Sequence, residues 1–488
     1  MQRPKKKTSK LTLGWRVNED LEPSYWLSPG AKSGRQPDSA LVTAPTEAME
    51  HHTIIVAQSG SGKSFFLGRL IEEILLMSRS RVVILDPNSD FRKFNLTVGS
   101  DKWSQAKYDL IAKEGALPHE SNQREFKQRW TDISKRIYSA QSESRRQFVP
   151  FQVDWLNFSI DWFADDADFT FRGQLQHCHN FVNEIRVAIG RQSPEWRRQW
   201  RRQGRVKLLD FSQKLCGETA NIGRTTDKII NKLKEQFTET KGLKEQFRET
   251  KGLKRNFESA ARYRTFFGNE AEQFYFGFAR EALDSGIFAG QWSDPTPSRP
   301  DRLHVIDLVS IRHDLFRMMA VGSFLAVEWK LALKLWEEAL EKKRDTRVPL
   351  FIVLDEAHEI IPAQPTSLAH RRLKEWFRVI AAEGRKFGVF LILVSQRPDK
   401  IDPSVVSECE NRAIMKIGSE LVLEEASNLL GLSAIQRNEA KQCLTFSRGR
   451  ALLCGPWAGR RHLLLYTAMR RTVEGGRNLR PQYWARPQ

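Results

Sequence analysis

The segment that most restricts the fold runs Ala57-Gln58-Ser59-Gly60-Ser61-Gly62-Lys63-Ser64, between a short apolar stretch from His52 to Val56 and a helical pattern from Lys63 to Met77. It fits the P-loop pattern G-x-x-x-x-G-K-[ST], with Ala57 at the first glycine. Glycines in such a loop let backbone N–H groups turn onto a phosphate at a helix N-terminus, while the lysine reaches the β and γ phosphates and the hydroxyl ligates magnesium. On this reading Ser59, Gly60, Ser61, Gly62, Lys63 and Ser64 bind the nucleotide, and Ser64 is also a metal ligand. The first position mainly ends the strand, so alanine there is a mild departure.

A second apolar run, Arg81 to Leu85, follows at once. Strand, loop, helix and strand make a βαβ unit, and such units build parallel sheets with right-handed crossovers. Apolar runs return at Leu303 to Leu308, Leu350 to Leu354 and Val389 to Val394, with a helical pattern from Asp314 to about Lys343 between the first two. The fold class is therefore α/β, a P-loop NTPase core with a mainly parallel sheet. Residues 101–285 are polar, aromatic and charged, with helical periodicity and no continuous apolar run, and read as a large helical, basic insertion. It divides the core into 49–100 and 286–470, flanked by an N-terminal extension, 1–48, and a C-terminal tail, 471–488. A chain of 488 residues exceeds what one hydrophobic core normally supports, which agrees with a core carrying a long insertion.

The run Phe351-Ile352-Val353-Leu354 ends in Asp355 and Glu356, a pattern that delivers two acids to the C-terminal edge of a parallel sheet. Asp355 would hold the magnesium shell, and Glu356 would polarise the attacking water. The following strand ends in Ser395-Gln396-Arg397-Pro398, where Gln396 can sense the γ-phosphate. Arg385, ahead of that strand, belongs near the opposite edge; it is either a surface arginine or one that reaches a neighbouring protomer's nucleotide.

Seventy-eight Lys and Arg against 59 Asp and Glu give a formal charge of +19, which favours a polyanionic partner, nucleic acid first. No apolar run is long enough for a membrane span and no signal-peptide pattern opens the chain. Five cysteines without a C-x-x-C pair give neither a disulfide framework nor a zinc ribbon, and point to a reducing cytoplasm. His177-Cys178-His179 lacks a distant partner pair for zinc. In the insertion, Arg191 to Lys207 carries Trp196 and Trp200 on one helix face among arginines, as a phosphate-contacting arm or as a docked helix with a solvated outer face. Three tandem copies starting at Leu233, Leu243 and Leu253 are too short for solenoid units and read as a duplication lengthening a helical arm.

The succession P-loop, VILDPNSDF from Val83 to Phe91, HVIDL from His304 to Leu308, FIVLDEAHEIIP from Phe351, EGRKFGVFLILVSQRP from Glu383, and finally Arg470-Arg471-Thr472 with Gly475-Gly476 resembles the HerA and FtsK superfamily, closest to HerA-like DNA translocases. The resemblance covers about 49–100 and 286–476. It implies a RecA-like core, ATP and Mg²⁺ as cofactors, and a homo-hexameric ring around double-stranded DNA with sites between subunits. Lys63, Ser64, Asp355, Glu356 and Gln396 would then come from one protomer and Arg385 from the next, with Asp86 assisting near the site. A separate nuclease of NurA type or another effector protein is the implied partner. Fewer than fifty residues precede the first core strand, too few for a complete HerA N-terminal barrel. Two other readings share the motifs: a conjugation or type IV secretion ATPase, and a ring scaffold locked by ATP. For DNA contact in the pore, Arg371, Arg372 and Lys374 follow the carboxylates beyond a loop containing Pro362 and Pro365.

Overall fold

The structure, a computed structural model, describes residues 9–17, 41–98, 123–139, 149–150, 302–311, 314–342, 345, 347–459, 462–468 and 470–475. The tryptophan–arginine segment, the ten-residue copies and the His177 cluster lie outside the described residues.

Four runs occupy the middle of the sheet: β3 (Thr53–Val56), β4 (Arg81–Asp86), β8 (Leu350–Leu354) and β9 (Val389–Ser395). Every residue in them is buried, the condition of a parallel strand covered on both faces. Their side chains alternate between two cores. Ile54, Val83, Ile352 and Leu391 point to one, while Ile55, Val82, Phe351 and Phe390 point to the other. Helices α3 (Asp314–Glu341) and α5 (Leu368–Phe387) cover the first face through Val321, Phe324, Leu373 and Phe377. The second face is covered by α1 (Lys63–Met77), through Phe66, Leu70 and Ile74, and by α2 (Gln123–Thr131), through Phe126 and Trp130.

The remaining strands are β1 (Lys10–Arg16), β2 (Leu41–Pro45), β5 (Lys135–Ser139), β6 (Val149–Pro150), β7 (Leu303–Asp307), β10 (Asn411–Ile414), β11 (Arg450–Cys454) and β12 (Leu463–Thr467). The strand order is β2-β1-β12-β11-β10-β3-β9-β8-β4-β7-β5-β6. From β10 to β6 all neighbours are parallel; from β10 to β2 they are antiparallel. Shorter helices α4 (Ala357–Ile360), α6 (Pro403–Ser407), α7 (Glu420–Leu429) and α8 (Ala434–Ala440) connect the later strands.

The boundaries drawn from sequence differ from this architecture in three places. The stretch 1–48 contributes β1 and β2 to the same sheet as the P-loop strand. Inside 101–285, where only helix was expected, Lys135–Ser139 forms a strand paired with β7. Beyond 470, Val473 N–H donates to Leu96 O at 2.9 Å and the segment packs on the core.

Two contacts fix the elements that carry the site. Arg81 on β4 makes a bidentate pair with Glu328 on α3, at 2.9 and 2.7 Å, both side chains buried. Gly388 ends α5 with φ +79°, its N–H donating to the carbonyls of Arg385 and Gly384, so the chain turns directly into β9.

Candidate nucleotide site

The C-terminal ends of neighbouring parallel strands converge on the residues read from sequence. Val56 at the end of β3 pairs with Ser395 at the end of β9, and Leu354 on β8 pairs with Leu393 on β9 and Leu85 on β4. The P-loop, Gln396, Asp355, Glu356 and Asp86 therefore follow adjacent strand tips, the edge at which open α/β sheets bind ligands.

After β3, Ala57 N–H donates to Ser395 O at 3.1 Å and Gln58 N–H to Lys416 O at 2.9 Å, so the loop leaves the sheet under restraint. Among the described residues the only non-glycine positions with positive φ are Ser89 and Glu356, so Ala57 occupies a conformation that does not require glycine. Gly62, at φ +100°, caps α1, where a side chain would be strained. Its built Cβ would meet Gly449 N at 3.3 Å. The turn at Arg448 and Gly449 supports the loop from outside: Arg448 Nε donates to Gly60 O at 3.1 Å and Gly449 N–H to Ser61 O at 2.9 Å. Sequence reasoning missed this brace, which brings together residues almost four hundred positions apart.

Lys63 is buried between two carboxylates. Its Nζ lies 2.9 Å from Asp355 Oδ1 and is also paired with Glu356 Oε1. Burial alone would lower this ammonium, but the charges of Asp355 and Glu356 outweigh it and hold the group above its usual range. Glu356 adopts φ +46°, a left-handed conformation costly for a side chain and concentrated at functional sites. Asp355 Oδ2, Glu356 Oε2 and Ser61 Oγ are buried without a hydrogen bond among the described residues. Buried polar atoms normally find partners. Two carboxylate oxygens and a hydroxyl beside a phosphate-type loop have the chemistry to meet a hydrated divalent cation and a phosphate chain.

Gln396 is exposed at the tip of β9. His358 Nδ1 lies 3.1 Å from Ser395 Oγ and 3.5 Å from Glu356 Oε2, beside the same carboxylate. Arg385 is not brought to this edge. It stands in the last turn of α5, near the N-terminal ends of β9 and β10, paired with Glu410, whose second oxygen is 2.9 Å from His51 Nδ1. Of the three basic residues placed beyond the carboxylates, Lys374 is engaged internally, at 3.5 Å from Asp402 Oδ2 and 3.3 Å from Ala363 O; Arg371 is exposed. Lys374 thus braces the proline-containing loop and is withdrawn from the set expected to touch DNA.

Asp86 organises the loop after β4 by accepting the N–H groups of Asn88, Asp90 and Phe91 at 3.2, 3.1 and 2.8 Å. Burial, with the charges of Asp355, Asp90 and Asp307, pushes its carboxyl up to about 8 from an ordinary 3.8. The folded protein then retains a proton that the unfolded chain releases above the ordinary value. This group's stabilising contribution therefore falls as pH rises from about 4 towards 8 and is constant above that. Melting wild type and Asp86→Asn in parallel without nucleotide should show their Tm difference drifting against wild type from about pH 5 to 8 and levelling off beyond; a constant difference would mean that Asp86 is already ionised at acidic pH.

A family model described as Helicase HerA, central domain, matches residues 36–326, more than half of the chain. The DNA double-strand break repair helicase HerA of Sulfurisphaera tokodaii is 34% identical over 148 residues, 28% of this chain and 28% of that protein. The HerA of Pyrococcus furiosus is 33% identical over 141 residues, 24% of this chain and 25% of its own length. These matches span under a third of the curated relatives. Among solved structures, VirB4 of Thermoanaerobacter pseudethanolicus aligns over 98% of both chains at 14% identity with a TM-score of 0.45.

Proposed function

The chain belongs to the HerA central-domain family, and from that premise we propose that it is an ATP-hydrolysing DNA translocase that works as a ring on double-stranded DNA. The observation that carries the reading is Lys63 held between Asp355 and Glu356 beside the P-loop, with buried carboxylate oxygens left over for a metal shell and a water. Bound magnesium ATP supplies the phosphoanhydride to be cleaved and the charge that polarises it. The protein's part begins with Lys63, which exchanges its carboxylate partners for phosphate oxygens. That exchange would free Glu356 to orient and deprotonate water, and Asp355 would help to hold the magnesium ion when it is bound. Gln396, at the strand tip between the P-loop and Glu356, reports the γ-phosphate to the rest of the strand.

The net charge of +19 supports a polyanion as the substrate that is moved. The partner proposed with it is a separate nuclease or another effector protein on a different chain. The buried free thiols Cys409, Cys443 and Cys454 suit the reducing cytoplasm, and among the described residues no helix is long and apolar enough to cross a membrane. The test is ATP hydrolysis with and without duplex DNA, with oligomer mass recorded in the same buffer. A ring whose turnover rises with duplex DNA, the stimulation fading as salt increases, is the expected result. A ring that binds ATP but hydrolyses it at a slow rate indifferent to DNA would replace the motor by a nucleotide-locked scaffold.

A further inference from the structure

The segment Arg470–Gly475 crosses α1 and the loop after β4; it holds Ser64 directly at the carbonyl and, through Asp90, at the hydroxyl. Arg470 is 1% exposed. Its Nη1 donates to Ser64 O at 3.0 Å, its Nη2 to Val473 O at 3.1 Å and its Nε to Thr472 Oγ1 at 3.0 Å. The guanidinium carbon also sits 5.2 and 4.9 Å from the ring centroids of Phe91 and Phe94. Glu72, fully buried on α1, accepts the N–H groups of Arg471 and Thr472 at 2.9 and 2.8 Å. The helix leaves space for this arginine only because residue 68 is glycine: a Cβ there would lie 2.5, 2.6 and 2.8 Å from Arg470 Nε, Cδ and Cζ.

The hydroxyl end of Ser64 is held from the other side. Ser64 Oγ donates to Asp90 Oδ2 at 2.6 Å. Asp90 is itself fixed by its N–H on Asp86 Oδ1 at 3.1 Å and by its carbonyl, which accepts Gly475 N–H at 2.8 Å. A Cβ on Gly475 would come within 2.1 Å of Ser89 O, so the strap passes this point only as glycine.

We propose that Asp90 and Arg470 are positioning residues that fix Ser64 as a magnesium ligand, Asp90 by accepting the hydroxyl's hydrogen bond and Arg470 by holding the carbonyl of the same residue. The assignment rests on reading the site as a magnesium–nucleotide site. With its proton committed to a carboxylate, the serine hydroxyl presents lone pairs to the cation and gains electron density, the way outer carboxylates orient and strengthen metal-binding groups. The arginine stops the first turn of α1 from rotating that hydroxyl away. The strap thereby makes the geometry of a residue near position 60 depend on chain more than four hundred residues later.

The experiment is binding of a fluorescent ATP analogue to the full chain in Mg²⁺ and in EDTA, read as the ratio of the two Kd values. Wild type should bind more tightly in Mg²⁺. Asp90→Ala should lose about 10- to 100-fold of that advantage while its Kd in EDTA stays at the wild-type value. Ser64→Ala should lose the same advantage, and the double variant should lose no more than either single one, because the two side chains act through one bond. Arg470→Met removes a buried charge and is prone to misfold. Gly68→Ala, which displaces the guanidinium without deleting it, should shift the ratio in the same direction, with melting curves confirming a folded protein. An unchanged ratio in Asp90→Ala, with wild type showing the Mg²⁺ advantage, overturns the assignment alone. A wild type that binds the analogue equally in Mg²⁺ and EDTA overturns the assignment together with the reading of the site.

Discussion

Glu356→Gln is expected to lower the rate of ATP hydrolysis by about 10²- to 10⁴-fold, the range for losing a positioned general base, while nucleotide affinity stays close to wild type. The geometry separates the two quantities. On the proposed reading, affinity comes from the P-loop backbone and Lys63, neither of which needs Glu356 once phosphates compete for the ammonium. Removing the carboxylate also releases Lys63 from one of its two partners in the nucleotide-free site, so any change in affinity should be towards tighter binding. Rate, in contrast, depends on a carboxylate with one oxygen left free, and glutamine keeps the shape of Glu356 but cannot accept a proton. Phosphate-release kinetics beside analogue binding would check this. A glutamine variant retaining more than about a tenth of the wild-type rate would move the base elsewhere.

The central strands were legible because burial on both faces forces a continuous apolar run, and β8 occupies the same residues, Leu350–Leu354, in sequence and structure. The long helix beginning at Asp314 ends at Glu341, within two residues of the periodic pattern. Strand β5 was not legible: Lys-Arg-Ile-Tyr-Ser opens on two basic residues and lies near the sheet's edge, where one apolar face suffices. β1 and β2 were missed for a related reason. They pair with each other, and β1 pairs with β12 near the far end of the chain, and a non-local ladder leaves no local signature. The candidate site shows the same division. Residues at strand tips announce themselves by the run that precedes them, so the P-loop, Asp355, Glu356 and Gln396 could be placed on one edge. Asp90 and Arg470 stand in recognisable strings, yet what they touch is decided by the C-terminal strap folding back over α1, and the burial of an arginine there depends on Glu72 and Gly68 of a helix four hundred residues earlier.

Arg385→Ala should reduce hydrolysis by about 10³- to 10⁵-fold in the assembled ring, the worth of an arginine supplied across an interface, without lowering the stability of the protomer appreciably. Its partner in the protomer is Glu410, and both side chains are about half exposed, so the pair contributes little to folding and is easily exchanged for a phosphate. Arg385 sits at the rim opposite its own P-loop, held forward by the end of α5 and the turn at Gly388. On the proposed reading a guanidinium there would serve catalysis through another copy, and mixing variants tests that requirement directly. Arg385→Ala keeps Lys63, Asp355 and Glu356; Glu356→Gln keeps Arg385. Each is inactive alone. In a mixed ring, a site built on an Arg385→Ala protomer and flanked by a Glu356→Gln protomer holds every group once, so activity should return in proportion to the frequency of that pairing. If Arg385 served its own protomer, mixing would restore nothing, because every protomer would still lack either the base or the arginine; if it served none, Arg385→Ala would hydrolyse ATP unmixed.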